Sequence, residues 1–274
     1  MTELLVRRLL IDLTTPFPGR WNGGDAFRSA FFSALSMSFP VGEQYFIDSV
    51  RNGLKTLPEA ERQRWAPEVQ GFVGQEATHR RLHALFNGHL QQLGYRNELE
   101  CRAAQRIQDN AHRDARMHVG ATAATEHFTA IFANWIMHHP EALAGTESRL
   151  QTLWQWHAAE ESEHRCTAFD LYTAMGGSYS WRRRTFYYVT TIFLSDVLRQ
   201  TLRNLWHDGS LFQRSTWRSG ARLLFARDGM LRGNYGQWRD YLAPDFHPSQ
   251  HDATLSTQWL RDNAAQFSLV GKGN

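Results

Sequence analysis

The chain has 274 residues, of which 42% are hydrophobic and 21% are charged, and this balance excludes an intrinsically disordered protein. Its 30 basic and 27 acidic residues leave a formal charge of +3, which is too small to indicate nucleic-acid binding. No run of about 18 apolar residues predicts a transmembrane helix, and the N-terminus lacks the pattern of a secretory signal. Two cysteines, Cys101 and Cys166, indicate buried thiols in a reducing compartment, so we expect a cytoplasmic protein.

The predicted elements are almost all helices. Residues 1–20 predict an extended arm, and Asp25 then caps the first helix. Pro40 is expected to kink or break that helix just before Gly42, because proline lacks the amide hydrogen and clashes with the preceding turn. Pro67 suits the first turn of a further helix. Helices are predicted at 26–53, 58–65, 67–93, 97–138, 146–175, 180–206 and 254–266, with one possible break in the stretch 97–138 and one or two shorter helices after residue 209.

Each of the four long helices in the first two thirds of the chain carries a glutamate among apolar or small residues. Successive glutamates are 33, 50 and 35 residues apart, enough for the rest of one helix, a turn and part of the next. They are Glu43, Glu76, Glu126 and Glu161. The second and fourth each begin a Glu-x-x-His pair, completed by His79 and His164. Residues three apart lie on one helix face, so each pair can bind a single ion.

This order of residues matches a known kind of metal site. A Glu-x-x-His pair on each of two helices and one Glu on each of two others is the ligand set of di-iron and di-manganese carboxylate bundles. Four buried carboxylates would be very costly without partners, whereas two divalent ions would neutralise them. Oxygen and imidazole ligands suit iron or manganese, although affinity alone favours copper or zinc.

The sequence therefore predicts an all-α, ferritin-like four-helix bundle that holds two iron ions, with manganese or a mixed pair as alternatives. Residues 1–20 would form the arm, 21–177 the metal-binding bundle, and 178–274 the additional helices and tail that cover it. We expect the whole chain, 1–274, to form one domain.

A seventh ligand is predicted beside this set. His157, Glu161 and His164 fall on one arc of the fourth helix, since each residue turns the helix by about 100°. His83 follows His79 on a similar arc of the second helix, so His157 and His83 compete for the position. We favour His157. The alternative is that one or both histidines hydrogen-bond to the ligands instead.

Two further glutamates lie close to the fourth-helix motif. Glu160 is near the same face and could replace Glu161, but Glu161 has the three-residue spacing to His164. Glu163 is expected to point away and to be solvated or ion-paired.

Nearly the whole chain resembles the bacterial family of predicted metal-dependent hydrolases. The resemblance is carried by Gly42-Glu43, by Gln75-Glu76-Ala-Thr-His79, by the histidine-rich segment from Trp156 to Asp170, and by Asp245-Phe-His-Pro248. The metal set also resembles that of the di-iron arylamine N-oxygenases, whose fourth bundle helix carries His-x-x-x-Glu-x-x-His. His157, Glu161 and His164 match that motif, which implies that His157 is the seventh ligand.

From these residues we expect an oxidoreductase or oxygenase. A di-iron or di-manganese centre would activate O2 and oxidise a small hydrophobic or aromatic substrate, with an electron donor as a partner. A glutamate-rich, histidine-poor helical site is typical of oxygen chemistry. The alternatives are a dinuclear metal-dependent hydrolase and a non-catalytic, metal-binding ferritin-like protein.

The remaining patterns bear on the substrate and on partners. Residues 181–198 predict a helix that covers the bundle; the alternatives are a hydrophobic tunnel wall or a surface in peripheral contact with a membrane. Four small residues could leave a substrate pocket or could pack helices closely: Ala123, Ala130, Ala133 and Ala168. His247 is expected to anchor the tail. No nucleic-acid partner is expected, and a homodimer is compatible with the sequence.

Overall fold

The computed structural model describes residues 4–270, and this range is mostly helical. The helices are α1 (Ala26–Lys55), α2 (Glu59–Gln92), α3 (Glu98–Asn110), α4 (Ala115–His138), α5 (Ser148–His164), α6 (Thr167–Ala174), α7 (Tyr179–His207), α8 (Arg214–Phe225), α9 (Met230–Gly233), α10 (Tyr235–Asp240) and α11 (Thr254–Asp262). Short 3-10 helices lie at Pro140–Leu143, Pro248–Gln250 and Ala264–Gln266. The predicted all-α class is confirmed.

One pair of strands was not predicted. Strand β1 (Arg7–Leu9) in the N-terminal arm pairs antiparallel with β2 (Phe267–Leu269) near the C-terminus. Strands of three residues are too short to show a periodic pattern in the sequence. The pairing brings the two ends of the described chain together beside α2.

Helix α1 runs without interruption through Pro40, so the predicted break is wrong. Pro40 has no amide hydrogen for the carbonyl of Ser36, four residues earlier. The side-chain amide of Asn87, on α2, donates to that carbonyl at 2.9 Å instead. The neighbouring helix thus satisfies the acceptor that proline leaves free, and α1 continues to Glu43.

Other helix boundaries also differ from the prediction: three short helices, rather than one or two, lie between residue 209 and α11, which ends at Asp262. Helix α2 continues through Pro67 as one helix, whereas two were expected. Pro67 has no amide hydrogen to donate to the carbonyl of Gln63, but Gln63 is exposed, so water can donate to that carbonyl. Conversely, the helix predicted at 146–175 is divided after His164. At the division, the guanidinium of Arg165 donates to the carbonyls of Pro248 and His251 at 3.1 and 3.0 Å, so the C-terminal tail is held at this point.

The four helices that carry the predicted glutamates pack together. Helix α1 packs against α2 and α4, and α4 packs against α5. Helix α7 covers α1 and α4, while α11 covers α5. Within residues 4–270, none of the helices has both the length and the hydrophobicity needed to cross a bilayer. Cys101 is exposed, so the predicted burial of that thiol is wrong, and Cys166 is half-buried.

Aromatic rings fill the core between α1, α2 and α5. Trp21 stacks on Trp154 with ring centroids 6.0 Å apart, and Phe86 meets the edge of Trp21 at 5.2 Å. Trp154 also contacts His83, with centroids 5.3 Å apart. This cluster fixes α2 against α5 one turn from the site described below.

Replacing Phe86 by alanine is expected to lower the free energy of unfolding by about 3–5 kcal/mol, because the ring is fully buried and its loss leaves a cavity. Urea denaturation followed by circular dichroism measures the change. The matched control is Leu85→Ala on the same helix, where the side chain is 45% exposed and the expected change is within about 0.5 kcal/mol. Equal losses in the two variants would contradict this description of the core.

Candidate metal centre

Seven side chains from α1, α2, α4 and α5 converge in the interior of the protein. None of them is more than 4% exposed. They are Glu43, Glu76, His79, Glu126, His157, Glu161 and His164. The structure therefore brings together every residue that the sequence predicted for the site.

Their ligand atoms form three groups of three, and within each group the atoms lie within 4.8 Å of one another. The groups are Glu43, His79 and His157; Glu76, Glu126 and His164; and Glu76, His79 and Glu161. The first two groups share no residue, so the arrangement offers two adjacent sites. The third group lies between them.

Glu161 occupies the middle of the cluster. Its Oε1 atom lies 2.9 Å from Nε2 of His157, 3.3 Å from Nδ1 of His79 and 3.6 Å from Nε2 of His164. One carboxylate oxygen thus contacts a nitrogen of each of the three histidines. Its other oxygen, Oε2, is buried and has no hydrogen-bond partner in the described structure.

Many polar atoms of the cluster are buried without a hydrogen bond. Both carboxylate oxygens of Glu43, Glu76 and Glu126 are in this state. Buried polar atoms are normally paired, and unpaired buried carboxylates are costly. Some of these oxygens lie close to an imidazole nitrogen: Nε2 of His164 lies 3.0 Å from Oε1 of Glu76 and 3.2 Å from Oε2 of Glu126. Cations between them would satisfy the whole set, so the donor atoms fit divalent metal ions.

Outer residues orient the imidazoles of His79 and His164. Nε2 of His79 lies 2.9 Å from a carboxylate oxygen of Glu160, which can only accept from an N–H. The amide nitrogen of Gln75 donates to Glu163 at 2.8 Å, so the amide oxygen of Gln75 accepts from Nδ1 of His164 at 2.9 Å. Each ring therefore turns its second nitrogen towards the cluster, as metal-binding histidines do.

A chain of hydrogen bonds orients His157 in the same way. Because the amide nitrogen of Asn87 donates to a backbone carbonyl, its oxygen accepts from the Ser36 hydroxyl at 2.8 Å. Ser36 Oγ then accepts from Nδ1 of His83 at 2.9 Å, and Nε2 of His83 accepts from Nδ1 of His157 at 2.7 Å. The lone pair on Nε2 of His157 faces Glu161, an arrangement that needs a cation or a proton between the two atoms. Burial lowers the pKa of His157 to about 4, which keeps the ring neutral.

The two candidates for the seventh position thus lie at different distances from the cluster. His83 is absent from the three groups of ligand atoms and contacts the cluster only through His157. Burial holds the pKa of His83 well below its ordinary value, so it stays neutral. His83 orients His157, in agreement with the alternative that one of these histidines hydrogen-bonds to a ligand.

Sequence reasoning missed Arg7, on strand β1. Its guanidinium is buried and lies 3.0 Å from Glu160 and 2.7 Å from Glu163. Glu160 therefore bonds to Arg7 and His79 rather than replacing Glu161, and Glu163 is ion-paired as expected. Arg7 is 153 residues from Glu160 in the chain, and no local pattern indicates their contact.

Replacing Arg7 by alanine is expected to weaken metal binding by about 10–100-fold, the usual effect of changing a residue that orients a ligand. Without Arg7, the carboxylates that bond to His79 and Gln75 lose their counter-charge. Competition with a chromophoric chelator measures the affinity. Arg8→Ala is the matched control, because Arg8 is exposed on the same strand. Unchanged affinity in Arg7→Ala would show that the arm does not support the centre.

Without bound ions, protons compensate the charge of the cluster. Burial raises the pKa of Glu43 and Glu76, and it raises that of Glu126 to about 8. Burial would lower the pKa of His79, but hydrogen bonds to Glu160 and Glu161 outweigh it and raise this pKa to about 10. Several of these groups therefore hold protons at neutral pH.

Metal affinity is accordingly expected to fall as the pH is lowered from about 8 towards 6. A group whose pKa lies above the ambient pH must lose its proton before it can bind a cation, and this cost grows as the pH falls further below the pKa. Apparent dissociation constants at several pH values, and proton release on adding Zn²⁺ in weakly buffered solution, measure the effect. An affinity that does not change over this range would contradict the pKa directions given above.

His247 anchors the tail by a bond of 2.6 Å from Nε2 to Asp170. The four alanines considered as pocket-forming are all buried between helices, and none of them lines the cavity beside Glu43 that is described below.

No curated protein and no solved structure is significantly similar to this chain. A family model described as "predicted metal-dependent hydrolase" matches residues 5–252, which include all seven side chains of the cluster. This confirms the first of the two resemblances drawn from the sequence. The chain belongs to the family of predicted metal-dependent hydrolases.

Proposed function

We propose that the seven side chains bind two divalent metal ions and that the protein is a metal-dependent hydrolase. The observation that carries the proposal is the pair of adjacent groups of buried, unpaired carboxylate and imidazole atoms. The family description supports hydrolysis over the oxidation expected from the sequence. Four glutamates carry four negative charges, which two divalent ions would neutralise.

The assignment of ligands follows the groups of atoms. Glu43, His79 and His157 would hold one ion. Glu76, Glu126 and His164 would hold the other, with Glu161 shared between them. When bound, such ions supply an activated water and polarise a carbonyl or phosphoryl oxygen.

The surrounding side chains keep bulk water away from the cluster and hold the imidazoles in place. Phe39 meets His157 edge-on with centroids 4.7 Å apart, and Trp156 meets His79 in the same way at 5.0 Å. Phe72 packs against His164, also at 5.0 Å. The rings leave Glu43 as a ligand that also lines a cavity, so we place the substrate on that side of the centre.

The second candidate function is oxidation of a substrate by O2 at a di-iron or di-manganese centre in a ferritin-like bundle. The specific observation in its favour is the ligand set itself: four glutamates and three histidines on four packed helices. The resemblance to arylamine N-oxygenases stays a prediction. This function would need an electron donor.

Isotope labelling separates the two functions. Protein purified without oxygen is analysed for metals, then loaded with Zn²⁺, Mn²⁺ or Fe²⁺ and assayed with p-nitrophenyl butyrate and p-nitrophenyl phosphate. A hydrolase forms product without O2 and incorporates oxygen from labelled water. Consumption of O2 that requires Fe²⁺ or Mn²⁺ and a reductant, without hydrolysis, would favour the second candidate. A wild-type chain that binds none of the three metals would overturn both functions.

A further inference from the structure

A cavity of about 550 Å³ lies between α1, α3, α4 and α7, beside the candidate metal centre. This volume is within the range of small-molecule sites, which is about 300–1,000 Å³. Its wall is mainly apolar and includes Phe39, Phe46, Ile107, Val189, Ile192 and Phe193. Glu43 lines the same cavity, so the cavity extends from the protein surface to a predicted metal ligand.

Three arginines and two carboxylates line the cavity. Arg106 is ion-paired with Asp196, a carboxylate that Arg102 also contacts at 2.9 Å. Arg113 and Arg184 also line the cavity, and both are exposed. Neither guanidinium has an ion pair or a side-chain hydrogen bond with any residue between 4 and 270. Two arginines without an ion partner among the described residues therefore lie on the exposed wall of the cavity, while Glu43 and the ion-paired Asp196 are its buried carboxylates.

We propose that this cavity binds an amphiphile with an apolar body and a single anionic group. The anionic group pairs with Arg113 and Arg184, and the apolar body reaches towards Glu43. Guanidinium groups suit this role because they form charge-assisted hydrogen bonds with carboxylates and phosphates. The inference rests on the proposed function, because it names the substrate class of the proposed metal-dependent enzyme.

Binding of three probes with the same alkyl chain tests the head-group preference. Dodecanoate, dodecan-1-ol and dodecyltrimethylammonium are compared below their micelle concentrations by displacement of a fluorescent apolar dye. Dodecanoate is expected to bind at least about 10-fold more tightly than the other two, because only its head group pairs with the arginines. Equal affinities for the three probes would overturn the proposal.

Two variants of neighbouring residues on α7 locate the anion. Arg184→Ala is expected to weaken dodecanoate binding by about 10-fold and to leave binding of dodecan-1-ol unchanged. Arg183→Ala is the matched control: this exposed residue is adjacent in sequence and does not line the cavity. Ala121→Trp, which fills the cavity from α4, should weaken binding of all three probes. Equal effects of Arg183→Ala and Arg184→Ala would contradict the assigned position.

Metal-loaded and metal-free protein are compared to separate this inference from the proposed function. Dodecanoate should bind both forms with similar affinity, because its carboxylate faces the arginines. Binding that requires metal would show that the carboxylate faces the centre and would overturn the proposed orientation. Head-group selectivity in a chain that binds no metal would leave the cavity assignment intact and reject the metal-dependent function. Two bound metals without head-group selectivity would reject the cavity assignment and leave the proposed metal site intact.

Discussion

Glu161→Ala is expected to bind at most one metal ion per chain, whereas the proposed function predicts two for the wild-type chain. Glu161 contributes the oxygen that lies within 3.6 Å of a nitrogen from each of the three histidines, so its loss affects both groups of ligands. The three remaining carboxylates carry three negative charges, which do not balance the four positive charges of two divalent ions. Metal analysis after gel filtration, with the protein loaded under anaerobic conditions, measures the stoichiometry.

Two further variants make this prediction specific. Glu161→Gln keeps the volume of the side chain and removes its charge, so it separates loss of a ligand from a packing defect. Glu147→Ala is the control, since Glu147 is an exposed carboxylate next to the first residue of the same helix. We expect Glu161→Gln to lose metal and Glu147→Ala to keep two ions. Two ions in both Glu161 variants would show that the ligand set is wrong.

His157→Ala and His83→Ala are expected to have different effects although the two imidazoles touch. His157 turns a lone pair towards Glu161 and Glu43, at 2.9 and 3.7 Å, and its loss should remove one of the two ions. His83 contacts the centre only through His157, so its loss should keep both ions and weaken binding by about 10–100-fold. Stoichiometry and chelator competition on the two variants distinguish these outcomes.

The Co²⁺-loaded protein gives a second measurement on the same pair. Removing an imidazole ligand should change the visible absorption of Co²⁺, while removing its hydrogen-bond partner should shift the spectrum slightly. The control is His89→Ala. His89 is a half-buried histidine on α2, the helix of His83, and it bonds to the Leu13 carbonyl. If His157→Ala keeps two ions and loses only about 10–100-fold in affinity, His157 has a positioning role. That loss is the usual effect of changing a residue that hydrogen-bonds to a ligand.

The sequence by itself determined the parts of the site that depend on position along one helix. An α-helix turns once in about 3.6 residues, so Glu76 with His79 and Glu161 with His164 share a face whatever the rest of the fold does. Small and apolar neighbours indicated that these faces would be buried. For this reason all seven predicted residues lie in the cluster.

The reaction could not be determined from the same residues. Carboxylates and imidazoles on a helical bundle suggested oxygen chemistry, whereas the family description favours hydrolysis. The ligands neutralise and hold a cation in either case, and the chemistry depends on the substrate, on the bound metal and on access to the site. The expectation of a di-iron oxygenase is therefore less well supported than its hydrolase alternative.

Only the tertiary structure decided the contacts between residues that are far apart in the chain. Arg7 bonds to Glu160 across 153 positions, and Asn87 satisfies the carbonyl that Pro40 leaves free and so orients His83. The cavity beside Glu43 is likewise assembled from four helices, and the alanines that suggested a pocket pack between helices instead. Local spacing fixes which side chains share a helix face, but the direction in which a face points, and what meets it there, depends on how the helices pack against one another.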